Sequence, residues 1–357
     1  MVSTAIGLSS HIWNNNLRCV LLLLIYPVLI IGVFWAISFA LGMLSNNNGE
    51  TWIFVDFANK ITYEFFPLII SGVSIWFIIA WFFNTRMIRK LSHSHPVSRK
   101  EEPELYNLLE NLCISQGVKM PHLEIIETHA RNAFASGISE GNFAITITRG
   151  LMNSLSKDEL EGVLAHELTH IQNRDVRLLI VCIIFTGLFG FLAQLAWSNL
   201  RYSLFYGRRR SNNNNGSTFI IIIVIAIILW LGYMASLLMR FALSRRREYM
   251  ADAGAISMTK NPEAMMRALM RISGRDQIPQ TTDDIAMMCI ENHKPFMGMF
   301  ATHPPITNRI KAISEITRTP IPEKSNLAPV NKDHSFSNLT HKKATRTNPW
   351  LTHRKRK

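Results

Sequence analysis

The chain has 357 residues, 48% of them hydrophobic and 18% charged, with 38 Lys and Arg against 25 Asp and Glu. So apolar a composition excludes a disordered chain, and the length allows two domains or one large one. The net charge of +13 points towards nucleic acid only until it is located: residues 319–357 carry +7 of it, the body is mildly basic, and no nucleic-acid partner is expected.

In chain order, four apolar runs reach the roughly 20 residues that a bilayer requires. They are Val20–Leu44, Phe65–Phe83, Leu178–Trp197 and Thr218–Met239, and none contains Asp, Glu, Lys or Arg. The first is far longer than the apolar stretch of a signal peptide and follows only Arg18, so it reads as an uncleaved anchor. Between the first two runs lie Glu50, Asp56 and Glu64 against Lys60, the pattern of an external loop. Arg86, Arg89, Lys90, Arg99 and Lys100 follow the second run, and Arg240, Arg245, Arg246 and Arg247 follow the fourth. Both are cytoplasmic signals. Arg201, Arg208, Arg209 and Arg210 between runs three and four break the rule. Either they are translocated, or this hairpin dips in without crossing. Both options return the chain to the same side.

The expected organisation is therefore two N-terminal membrane helices (1–84), a first cytoplasmic segment (85–177), a hydrophobic hairpin (178–239), a second cytoplasmic segment (240–318) and a basic, Pro- and Asn-rich disordered tail (319–357). The tail either leans on anionic lipid or is a solvated extension.

In the first cytoplasmic segment, Leu123–Glu127 and Phe143–Thr148 read as strands. Asn132, Ala133 and Phe134 between them are either an edge that binds the backbone of an extended substrate or a packed turn with Phe134 in the core. Ser156-Lys-Asp-Glu159 has the form of a capping box and opens a helix on which Leu160, Val163, Leu164, Leu168 and Ile171 recur at helical spacing. That helix carries His166-Glu167-Leu168-Thr169-His170. Histidines at i and i+4 share one face, so both imidazoles can reach one Zn²⁺, and Glu167 can act as general base on a water there.

The four cysteines (Cys19, Cys113, Cys182 and Cys289) form no CxxC pair, so a thiolate zinc ribbon is excluded. A third histidine six residues after His170 is also excluded, because that position is Val176. The remaining solution is a distant carboxylate. Glu248 and Asp252 share a helical face just after the fourth run: either Glu248 is the third ligand, with Asp252 accepting a hydrogen bond from the far nitrogen of a ligand histidine, or Glu248 pairs with its arginine neighbours on a solvated helix. Asn173 and Asp175 are either supports of the ligands or ordinary polar residues at a helix end. His303 precedes two prolines and either donates to an oxyanion or simply starts the helix of Arg309. Arg309 orients that segment or binds a carboxylate. Straight helices running out of the membrane would put the metal roughly 12–14 Å from the hydrocarbon.

Five stretches carry a family resemblance: Asn132-Ala-Phe-Ala-Ser-Gly137, Thr148-Arg-Gly150-Leu-Met, Gly162–Asp175, Arg247-Glu248-Tyr-Met-Ala-Asp252 and Thr302-His303-Pro-Pro305-Ile-Thr-Asn-Arg309-Ile. Through them the chain resembles the HtpX family of heat-shock-linked membrane zinc endopeptidases, relatives of the CAAX prenyl proteases, over most of residues 20–315. The resemblance implies a mainly α protein: multi-pass membrane helices plus a gluzincin-type protease domain with a small antiparallel sheet. It also implies one Zn²⁺ on His166, His170 and Glu248, and cleavage of damaged or misfolded membrane proteins in the bacterial cytoplasmic membrane. The expected partners are such polypeptides and the lipid bilayer. A prenyl-directed protease is disfavoured because that branch has more spans. A catalytically silent adaptor is disfavoured because His166, Glu167, His170 and Glu248 are all present.

Overall fold

The computed structural model describes residues 8–45, 50–206, 215–241, 246–273 and 304–323. His303, the basic tail beyond 323 and the arginines at 208–210 lie outside the described residues.

Two long helices, α1 (Leu8–Ser45) and α2 (Thr51–Ser92), form an N-terminal hairpin. A second pair, α6 (Asp175–Tyr206) and α7 (Asn215–Phe241), packs against it. All four are long and apolar enough to cross a membrane, the architecture of a multi-pass membrane protein. Pro27 and Pro67 sit inside α1 and α2 without ending them, as neighbouring helices in an apolar medium allow. At 42 residues, α2 is about 63 Å long. It therefore extends well past the Phe65–Phe83 run at both ends, through Asp56, Lys60 and Glu64 on one side and Arg86, Arg89 and Lys90 on the other.

Side-chain contacts set the depth register of the four helices. Tyr26 of α1 stacks on Phe185 of α6 with ring centroids 4.4 Å apart, and Phe77 of α2 stacks on the same ring at 5.9 Å. Further along, a Cβ on Gly232 of α7 would fall 2.9 Å from Val33 of α1 and 3.2 Å from Phe189 of α6. Only glycine lets the three helices approach so closely there. The two hairpins thus pack side by side over this stretch.

The remaining elements form the water-facing part. They are β1 (His95–Pro96), α3 (Pro103–Gln116), β2 (His122–Ile126), β3 (Ala133–Ser136), β4 (Ala144–Thr148), the short α4 (Arg149–Met152), α5 (Lys157–Gln172), α8 (Arg246–Thr259), α9 (Pro262–Ile272) and α10 (Ile306–Thr317). The sheet order is β1-β2-β4-β3. β1–β2 and β3–β4 are antiparallel, but β2 and β4 are parallel, so the sheet is mixed rather than antiparallel. The reason is topological: β3 folds back onto the outside of β4 and does not insert beside β2. One apolar core joins Leu123, Ile125, Ile145 and Ile147 of the sheet to Leu105 and Leu109 of α3, Leu160 and Leu164 of α5, Leu269 of α9 and Ile310 of α10.

Candidate metal centre

Helix α5 begins as its sequence dictates. The Ser156 side chain accepts from the Glu159 backbone N–H, and the Glu159 carboxylate accepts from the Ser156 N–H at 2.9 Å. The buried Glu159 carboxylate also receives Arg271 at 2.9 Å and Arg267 at 3.3 Å, which fasten α9 to the first turn of α5.

At its other end α5 stops after Gln172, with Asn173 as C-cap and Arg174 in the left-handed region at φ 62°. The chain then restarts as α6 at Asp175. Because α5 and α6 are separate helices, the roughly 12 Å expected for one straight helix from His170 to the apolar run does not carry over unchanged.

His166 and His170 lie one turn apart with perpendicular rings and Nε2 atoms 3.2 Å from each other. Glu248, in the first turn of α8, completes a triangle: Oε2 is 3.7 Å from His166 Nε2, and Oε1 is 3.7 Å from His170 Nε2. Metal–ligand bonds of about 2.0–2.1 Å in a tetrahedron put ligand atoms about 3.3 Å apart, and one ligand atom from each of the three residues lies within 4.8 Å of the others. The three buried residues can hold a metal ion.

The other nitrogen of each ring is held by a carboxylate. His166 Nδ1 donates to Asp252 Oδ1 and His170 Nδ1 donates to Asp175 Oδ2, both at 3.0 Å. A donor role for each Nδ1 leaves each Nε2 as the ligating atom. Asp252 is in turn gripped by Arg309 of α10, with Nη2 to Oδ1 at 2.6 Å and Nε to Oδ2 at 2.9 Å. Arg309 is fully buried, and its Nη1 lies 3.7 Å from Glu248 Oε2.

The charges reinforce one another. Burial pushes the Asp252 carboxyl up, but Arg309 and the bond from His166 outweigh it and bring it down to about 2. Burial pulls His166 down, yet its bonds to Asp252 and Glu248 prevail and raise the metal-free imidazole to about 9. Burial works against the Arg309 charge too, but Asp252, Glu248 and Glu167 keep it firmly protonated. Glu167 itself is 2% exposed. A Cβ at Gly254 would fall 2.5 Å from Thr169 Cγ2, so α5 and α8 meet at a glycine nearly two turns beyond Glu248.

The structure thus brings together His166, Glu167, His170, Glu248, Asp252 and Arg309. Between the two residues after His170, it is Asp175 that supports the ring, whereas buried Asn173 caps α5. Asp175 carries no distinguishing signal in sequence, because the turn that aims it is made by a non-glycine residue, Arg174. The Phe134 side chain is in the membrane-facing core with Val176 and Leu178, as the packed alternative anticipated. Ala133 is buried in the main core, and the Asn132 side-chain oxygen accepts from the Ala133 N–H at 3.0 Å. All three residues are buried, on a strand at the edge of the sheet.

The profile of Peptidase family M48 matches residues 99–317. The Protease HtpX homolog of Bacteroides fragilis (strain YCH46) is 41% identical over 321 residues, covering 87% of this chain and 99% of that protein. The Protease HtpX homolog of Lactobacillus acidophilus is 31% identical over 319 residues, covering 87% and 100%. Among solved structures, the crystal structure of S. mikatae Ste24p is similar at a TM-score of 0.43 and 21% identity, over 71% of this chain and 60% of that one. With a family profile over more than half its length and relatives matched almost end to end, the chain belongs to peptidase family M48.

Proposed function

We propose that this protein is a zinc-dependent endopeptidase of the cytoplasmic membrane that cleaves damaged or misfolded membrane proteins, with its water-facing part in the cytoplasm. The observation that carries the reading is the cluster of His166 Nε2, His170 Nε2 and the Glu248 carboxylate, close enough together to hold one ion, with a buried carboxylate at Glu167 beside the first histidine. Two neutral imidazoles and one carboxylate are the donor set that suits zinc with a fourth position left for water. When bound, zinc would supply Lewis-acid polarisation of the water and of the scissile carbonyl.

The chain's own residues do the rest. Asp252 and Asp175 fix the two imidazoles in the tautomer that turns Nε2 inward, and Arg309 keeps Asp252 anionic. Glu167 takes the proton from the attacking water and passes it to the nitrogen of the leaving amine. His303 would donate a hydrogen bond to the oxyanion. The outer edge of β3 would hydrogen-bond the substrate main chain, which suits a protease that reads backbone rather than side chains. The side assignment rests on Arg86, Arg89, Lys90 and Arg246, Arg247 flanking the second and fourth membrane helices next to the site. The length and apolar composition of all four helices support four crossings, with Arg201 carried to the far side against the charge rule.

The test is cleavage of casein or a membrane substrate by the detergent-purified full chain, comparing wild type with Glu167→Gln while bound zinc is quantified. Cleavage by wild type, lost in the variant with zinc retained, is expected. Zinc-loaded wild type that cuts no faster than Glu167→Gln would contradict the reading.

A further inference from the structure

The direction of β3 relative to the membrane specifies which side of a substrate is anchored. The β3–β4 loop is held at the membrane border by two bonds: Arg177 Nε of α6 donates to Ile138 O at 3.0 Å, and Thr85 Oγ1 of α2 donates to Asn142 O at 3.1 Å. Arg177 immediately precedes the Leu178–Trp197 run, and Thr85 lies just past Phe83. The opposite end of the strand faces away, where Arg131 Nη1 donates to the Arg271 carbonyl of α9 at 2.9 Å. β3 therefore runs towards the bilayer. Helix α5, which packs on β3 and carries His166, Glu167 and His170, also runs towards the bilayer, since it leads into α6.

The register identifies the groups on the outer edge. Thr148 N–H donates to Asn132 O at 3.0 Å, so this pair faces inward. Alternation along the strand then turns the backbone groups of Ala133 and Ala135 outward. The Ala133 N–H is taken by Asn132 Oδ1. Ala135 offers both N–H and C=O, the two-bond exchange made with a single residue of an antiparallel neighbour, and antiparallel pairing is the more stable kind. The strand is covered in this structure, with Ala135 4% exposed. Of the metal-site residues, His170 at the membrane end is the most open, at 9% against 1% for His166 and Glu248. A polypeptide would enter from that end.

We propose that the site takes polypeptides with their N-terminal side towards the bilayer, so that its substrates are membrane proteins whose anchoring helix precedes the bond that is cut. A segment added antiparallel to β3 runs from the membrane outward, past His170 and then His166. This rests on the endopeptidase reading above and adds a substrate class to it. His170 lies eight residues before the Leu178–Trp197 run, a separation on the order of 12 Å at helical rise, and an extended chain advances about 3.3 Å per residue, so cuts are expected about four residues beyond the end of the anchor.

The test co-reconstitutes the full chain, zinc-loaded, in nanodiscs with two single-helix substrates that share a segment library. One has the library after the membrane helix, and the other has it before the helix. The same library without an anchor is the control, and Glu167→Gln is the blank. The helix-first substrate is expected to be cut at least about tenfold faster, the scale on which misplacing a scissile bond lowers rate. Equal or faster cutting of the helix-last substrate would overturn the polarity even if the free library is cut. If none of the three is cut in a Glu167-dependent way, the endopeptidase reading falls and the polarity with it. A readout that needs no turnover is photo-crosslinking in zinc-loaded Glu167→Gln. A reactive group at the N-terminal end of the segment is expected to mark residues near Ile138, and one at the C-terminal end residues near Arg131. The reverse pattern contradicts the proposal.

Discussion

The two halves of the candidate metal site hold their histidines by different means. His166 is held from the water-facing part: its Nδ1 bonds Asp252 on α8, and Asp252 is clamped by Arg309 on α10. His170 is held from the membrane: its Nδ1 bonds Asp175, the first residue of α6, in a segment only two residues past the end of α5. The first arrangement is a fully buried chain of charges drawn from three helices. The second is a bond to the first residue of the next helix, at the more open end of the site. The contrast teaches that one ligand depends on tertiary assembly of distant segments, whereas the other depends on how the α5–α6 joint meets the bilayer.

The sharpest way to break that contrast is to remove its buried cation. Arg309→Met takes from the buried Asp252 carboxylate its two-pronged guanidinium partner, and breaking a buried pair in this way costs about 3–5 kcal/mol. Thermal unfolding of the metal-free protein should register it, with Arg309→Lys falling less far because charge is kept and the two-pronged grip is lost. A Met variant within about 1 kcal/mol of wild type would mean that the charge chain contributes little.

Next in size are the two carboxylates themselves. Asp252→Asn and Asp175→Asn should each weaken zinc binding by about 10–100-fold in a competition titration with a chromogenic chelator. Asp252→Asn is expected to be the worse of the two, since it also removes the carboxylate that receives both of the short bonds from Arg309. The opposite ranking would move the weight of the site to the membrane side.

Gly254→Ala probes how closely α5 and α8 must approach. The new methyl meets the β-branched Thr169, whose hydroxyl is already bonded to Ala165 O at 2.8 Å. A loss of about 1–3 kcal/mol is expected in thermal unfolding, together with weaker zinc binding as Glu248 is pushed from the imidazoles. Zinc affinity equal to wild type would show that the contact does not set the ligand spacing.

The gentlest test near neutrality is pH. In metal-free protein, His166 has its imidazole raised from 6.5 to about 9, so its stabilising contribution is full below 6.5 and is lost as pH rises through 9. Asp252 is lowered from 3.8 to about 2, so its contribution is present above 3.8 and is lost as pH falls towards 2. Chelator-treated protein should therefore be most stable between these limbs. Asp252→Asn should flatten the alkaline limb, while Asp175→Asn should leave it in place. An alkaline limb unaffected by Asp252→Asn would assign it to some other group.

Much of this site is legible in sequence because its parts are local. The capping box, the i, i+4 histidines and the i, i+4 Glu248–Asp252 pair each follow from helical spacing alone, as do the four apolar runs. The bidentate contact between Arg309 and Asp252 spans 57 positions, and no periodicity encodes it. Asp175 was indistinguishable from Asn173 because the deciding feature is a left-handed backbone at Arg174, a residue type with no preference for it. The mixed sheet was missed for a related reason. Hydrophobic alternation reveals that strands exist, but the order in which they pair is set by tertiary packing, and here the second strand in sequence lies beside the fourth.

The most direct test of the central claim is X-ray absorption at the zinc edge on the purified full chain, together with metal counting on wild type, His166→Ala and Glu248→Ala. The account predicts about one zinc per chain with only nitrogen and oxygen neighbours at roughly 2.0–2.1 Å, two of them imidazoles, and loss of that zinc in both variants. Sulfur in the coordination shell, or the same zinc content in all three proteins, would contradict it.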